Sequence, residues 1–230
     1  MKKHLPFYVM LAAIIAIGSA CSHKSYQASY FDQQTSHHRI VAILPAEMIF
    51  TGKLPKELSS EDILAIEENE SRWFQQYLYN GILKHANTNK YFTRINLQDI
   101  NSTLKILEDN KISIRQSWKT DDRELARLLG VDAIVRMRIQ KTRYMSDLAS
   151  QGIHTGRQII NMTGLGNKIP IPYVSNKTND IYASCNLVSD NQTLWNDSYK
   201  EPTNWNNTSD EVIESITDSF GRHFPYKQRR

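Results

Sequence analysis

The sequence predicts an α/β (α+β) domain: a single mixed β-sheet of about five strands, with helices packed mainly on one face. Three observations predict it. In "RELARLLGVDAIVRMRI" (residues 123–139), Leu125, Leu128 and Leu129 recur at helical spacing, Gly130 interrupts, and Val135, Met137 and Ile139 then alternate like a strand. Helical and strand-like segments alternate over the first half of the chain, as parallel crossovers do. Two strand-like runs in "TNDIYASCNLVSDNQTLWNDSYK" meet at turn residues near 189–192, which reads as a hairpin closing the sheet.

The chain opens with "MKKHLP", a short basic region, then the apolar run "FYVMLAAIIAI", then "GSAC". This is the layout of a secretory signal, and the run is shorter than the roughly 20 residues a transmembrane helix needs. The segment resembles a bacterial lipoprotein signal, with Gly18 where such signals more often carry Leu. The resemblance implies cleavage before Cys21, with diacylglycerol on its sulfur and a palmitoyl chain anchoring the protein to the membrane. Ordinary secretion with Cys21 as a free thiol is the alternative.

Removing residues 1–20 leaves 26 basic against 24 acidic residues. Such a near-balance carries no nucleic-acid footprint. Residues 21–38, polar and without periodicity, read as a lipidated tether with a root-mean-square span of roughly 20–25 Å. His37 and His38 within it read as solvated side chains. Residues 39–226 read as a single periplasmic domain with an insert at about 145–178, and residues 227–230 as a basic tail.

Within the domain, "RIVAILPA" is a buried first strand closed by Pro45. Ser59 or Ser60 caps a long helix whose first turn carries Glu61 and Asp62. Ile63, Ile66, Trp73, Phe74, Tyr77, Leu78, Gly81 and Ile82 form its apolar stripe, so Trp73, Phe74 and Leu78 are expected against the sheet. "YFTRINL" reads as a second strand and residues 98–109 as a helix. "KISIRQSW" fits neither period. A helix over 121–129, Gly130 as a left-handed cap and a strand over 132–144 follow. The hairpin comes next, and a last helix over 209–223 ends at "FPY". Cys185 shares strand parity with Ile181, Ala183 and Leu187 and reads as a small buried hydrophobe.

The run "VAILPA", the long helix, "ELARLLGVDAIVRMRI" and the hairpin ending "LVSDNQTLW" resemble a group of outer-membrane lipoproteins. The group holds the curli-secretion subunit family and the penicillin-binding-protein activator family, and the N-terminal domain of the Tol-system periplasmic protein is similar in shape. The likeness covers residues 39–144 and 179–226. Its most specific piece is a helix ending "LGAD" before an apolar strand, which here reads Leu129, Gly130, Val131, Asp132. The resemblance implies an outer-membrane, periplasm-facing accessory protein of envelope assembly, secretion or cell-wall synthesis.

The residues point away from catalysis. The sequence has no nucleophile elbow, phosphate loop or paired-cysteine metal spacing, so no enzyme, cofactor or metal is expected. Arg136 and Arg138 take the parity opposite Val135, Met137 and Ile139 and should point to the other face of the sheet. They read either as a docking surface, for which mixed sheets leave room, or as a solvated face or residues ion-paired with neighbouring strands. Arg157, in the insert, is the third candidate contact. The insert lacks the alternation of a membrane-spanning strand pair and reads as a surface loop. The expected partners are the membrane, through the lipid on Cys21, and another envelope protein. A ring-forming secretion component, an envelope hydrolase and a small-ligand carrier are the competing readings.

Overall fold

The computed structural model describes residues 24–52, 59–86, 88–143, 177–204 and 209–229. Cys21, Arg157 and most of the insert lie outside them. Strands β1 (Lys24–Gln27), β2 (Ile40–Ile43), β3 (Glu47–Gly52), β5 (Asn96–Leu97), β6 (Ala133–Arg143), β7 (Lys177–Ser189) and β8 (Gln192–Asn204) form one sheet. Its order is β1-β8-β7-β6-β2-β5, with β3 also on β6. A small second sheet pairs β4 (Tyr91–Thr93) with β9 (Lys227–Arg229). The helices are α1 (Phe31–Gln34), α2 (Ser60–Ala86), α3 (Ile100–Asp109), α4 (Ile114–Ser117), α5 (Asp122–Leu129) and α6 (Ser209–His223).

The sheet is mixed, as expected. β6 runs parallel to β2 and β3 and antiparallel to β7. The main sheet has seven strands among the described residues, not about five, because β1 and β3 join it. β2 and β3 lie end to end on one edge of β6, at 133–135 and 138–143. Pro45 falls in the break between them, where a residue without an N–H can sit without costing a ladder bond.

The joint at Gly130 forms as the sequence indicates. Asp121 caps α5 by accepting from the Glu124 N–H, and Gly130 takes φ 67°, ψ 37° and donates to the Ala126 and Arg127 carbonyls. Ser113 and Gln116 make a reciprocal capping box that turns the ambiguous "KISIRQSW" into α4.

Two cores hold the sheet. On one face, Val135, Met137, Ile139, Ala183, Cys185, Leu187 and Trp195 pack with Phe74, Leu78 and Ile82 of α2 and Ile213, Ile216 and Phe220 of α6. On the other, Ala42, Leu44, Ile134 and Val188 meet Leu107 of α3 and Leu125 and Leu129 of α5. The smaller core covers only the end of that face nearest the 189–192 turn.

Five expectations are corrected. Of the expected tether, residues 24–38 are docked: β1 pairs antiparallel with β8, and Ala28, Phe31, Thr35 and His38 are buried. Two of these four, Thr35 and His38, are polar, which hid the pattern. His38 is accordingly 2% exposed, not solvated. Trp73 is 48% exposed, because the buried stripe of α2 runs through Ser71, Phe74, Gln75, Leu78, Gly81 and Ile82. Gln75 belongs to that stripe because its Nε2 donates to the Ile43 carbonyl at 2.7 Å, which satisfies a buried acceptor. "YFTRINL" splits into β4 and β5 on different sheets, and the basic tail supplies β9.

Candidate partner-binding face

Beyond α3 and α5 the second face of the sheet is open, and register fixes what it displays. Arg136 stands opposite Asn186, which stands opposite Asn196; Arg138 stands opposite Ser184, which stands opposite Ser198. On the other side Arg138 faces Glu47 of β3. A depression of about 230 Å³ lies among Glu47, Trp118, Arg136, Arg138, Ser184 and Asn186.

The two arginines have different roles. Arg136 is turned inward, its side chain 19% exposed and ion-paired to Asp122. Its guanidinium also donates to the carbonyls of Ser117 at 2.9 Å and Thr120 at 2.6 Å. It is a clamp that ties the α4–α5 connection to β6 while still lining the depression, whereas the pairing with a neighbouring strand that the sequence allowed is made by Arg138. Arg138 is 60% exposed and grips Glu47 through two parallel bonds, Nε to Oε2 at 2.7 Å and Nη2 to Oε1 at 3.1 Å. The carboxylate holds the guanidinium pKa above its ordinary value. This fork geometry fixes the orientation of a surface group that otherwise sweeps freely.

Around this pair the polar side chains are also held. Asn196 donates to the Asn186 side-chain oxygen, and the Arg115 guanidinium lies 5.2 Å from the Trp118 ring centre. The face is therefore a preorganised array of amide, hydroxyl and guanidinium groups. It can present hydrogen bonds to a protein surface without first ordering its own side chains. Glu47 lies just past Pro45, which closes the first strand in the sequence reading, so the sequence did not single it out. Ser184 and Asn186 were legible in principle, since they alternate with buried Ala183, Cys185 and Leu187.

Other chemistry-bearing groups are used structurally. Cys185 is fully buried, and burial together with nearby Asp197 pushes its thiol pKa well up, which keeps it protonated and unreactive. Asp218 joins α6 to α2 by accepting from His85 at 2.6 Å and Lys84 at 3.1 Å, with Arg222 as a third partner. Those bonds hold its carboxyl far below the ordinary range. Among the described residues no group of three or more His, Cys, Asp or Glu is placed to hold a metal ion. No described helix is long and apolar enough to cross a membrane.

No family profile matches the sequence, and no curated protein matches it. Solved structures similar to this chain include lipoprotein GNA1162 from Neisseria meningitidis, 11% identical over 80% of this chain and 96% of that one, TM-score 0.40. A PelC dodecamer from Paraburkholderia phytofirmans is 7% identical over 87% of this chain and 96% of that chain, TM-score 0.40. The LpoB C-terminal domain from Salmonella enterica is 10% identical over 76% of this chain and 92% of that chain, TM-score 0.31.

Proposed function

We propose that this chain is a periplasmic adaptor, anchored in the outer membrane by lipid on Cys21, which binds another envelope protein through the open face of its sheet. The observation that carries the reading is the Arg138–Glu47 fork, exposed yet fixed, at the rim of a polar depression on a sheet whose other face is fully committed to the core. The insert at 145–178, with Arg157, joins the polypeptide between β6 and β7, the two central strands of that face, and is the second proposed contact. The lipoprotein-like "GSAC" supports the address.

The test is crosslinking in cells from a photoreactive residue at Ser184, with capture compared between the parent and Arg138→Glu. Reversal at Arg138 places two carboxylates together on the rim and should abolish capture of a specific partner while the far-ultraviolet circular dichroism stays unchanged. Undiminished capture removes this face from the proposal. The same comparison with Arg157→Glu then examines the insert.

A further inference from the structure

We infer that β1 is the membrane-facing edge of the domain, resting edge-on upon the phospholipid headgroup layer with Tyr26 and Tyr30 in the interface, so that the open face stands upright in the periplasm. The inference rests on the lipid anchor at Cys21 proposed above.

The length of chain outside the described residues carries the first step. Lys24 opens β1, and three peptide links from Cys21 to Lys24 span at most about 11 Å. The slack expected of an 18-residue tether is consumed by the fold. The Ala28 N–H donates to the Leu194 carbonyl at 2.9 Å, and Phe31 is 2% exposed in the main core. An anchored chain therefore holds the Lys24 end of β1, the terminal strand of the sheet path, within about 11 Å of the lipid.

The composition of that edge fits the environment. Tyr26 is 53% exposed and Tyr30 42% exposed, both within ten residues of Cys21. A phenol places its ring against acyl carbon and its hydroxyl among headgroups, which is why tyrosine gathers at membrane interfaces. The outward N–H and C=O groups of an edge strand need hydrogen-bonding partners. Hydrated headgroups provide them and the hydrocarbon core does not, which sets the resting depth at the headgroups.

Edge-on seating also avoids a cost. Laying the open face flat would desolvate the Arg138–Glu47 pair, and removing such a pair from water often outweighs its attraction. With β1 down, β6 stands three strand spacings above it, about 14 Å, and the Arg138 rim stays in water and accessible to a partner.

The experiment uses the full-length, lipidated protein in vesicles of phosphatidylethanolamine and phosphatidylglycerol carrying a headgroup-attached nitroxide quencher. A fluorophore is placed singly by Gln27→Cys on β1, Gln140→Cys on β6 or Gln192→Cys at the hairpin. Cys185 is fully buried and leaves the introduced thiol as the accessible one. Quenching should be several-fold stronger at position 27 than at 140 or 192, and Tyr26→Ser/Tyr30→Ser should weaken it at 27. Equal quenching at 27 and 140 overturns the edge-on seating in favour of a flat face. Strongest quenching at 192, or none at any site, overturns it as well. Labelled palmitate separates the two readings: a chain that takes up none loses both anchor and orientation, whereas one that takes it up without quenching at 27 loses the orientation alone.

Discussion

Gly221 of α6 lies directly against the backbone of Gly81 in α2. A Cβ built on Gly221 would fall 2.6 Å from the Gly81 carbonyl carbon and 2.9 Å from the Ile82 nitrogen. The two long helices that cover the main core thus touch backbone to backbone, and the Asp218 cluster with Lys84 and His85 closes the same crossing one turn away. In an isolated helix Gly→Ala is stabilising by roughly 1 kcal/mol. Here Gly221→Ala should be destabilising instead, by about 1–3 kcal/mol, because the neighbouring atoms are backbone and can move only if the helices part. Denaturant midpoints decide it; a midpoint that rises would mean that the crossing is looser than described.

The two arginines of β6 should separate cleanly in stability. Arg136→Ala leaves the Ser117 and Thr120 carbonyls and the Asp122 carboxylate without their donor, at a cost of roughly 2–3 kcal/mol. Arg138→Ala breaks a mostly exposed pair and should cost under about 1 kcal/mol. Urea unfolding of both variants checks the contrast. Similar losses from the two would contradict the division between clamp and surface group.

The elements that were legible in the sequence are those whose local chemistry and burial agree. The α5–Gly130–β6 joint has a capping carboxylate, a helical stripe, a left-handed glycine and strand alternation in direct succession, and α6 has acidic residues at its start and basic ones at its end. The segment 24–38 was not legible, because β1 gains its stability from pairing with β8, about 170 residues away, and sequence periodicity does not report long-range pairing. At the candidate site, parity correctly turned Arg136 and Arg138 away from the main core. It could not say that the α4–α5 connection would reach back over Arg136 and leave Arg138 in the open.

The neighbouring residues Trp73 and Phe74 give a test of which stripe of α2 is buried. Phe74 is 2% exposed within the main core, and Phe74→Ala should cost about 3–5 kcal/mol. Trp73→Ala, at a half-exposed position, should cost under about 1 kcal/mol. Tryptophan fluorescence of the parent should retain a water-exposed component that Trp73→Ala removes. A large stability loss at Trp73 would place the helix in a different rotation.

His38 makes stability depend on pH. Its ring is buried, with Nδ1 at 2.5 Å from the Tyr226 hydroxyl, and Nε2 at 3.5 Å from Ser189 Oγ. Tyr226 is itself fully buried, and its phenol pKa is raised by that burial, so its hydroxyl keeps its proton and donates to a neutral imidazole. Burial, with His37 and Arg94 nearby, lowers the His38 pKa below its ordinary 6.5, and Asp132 and Asp190 only partly oppose them. The unfolded chain therefore binds the proton first as pH falls. The stability that neutral His38 supports is complete above pH 6.5 and declines as pH drops through the lowered folded-state value. His38→Gln should flatten this part of the curve of unfolding midpoint against pH. It should leave the separate acid loss below about 3.8, where carboxylates such as Asp132 and Asp218 take up protons. A variant that keeps the full slope between pH 5 and 7 would show that His38 is not the group responsible.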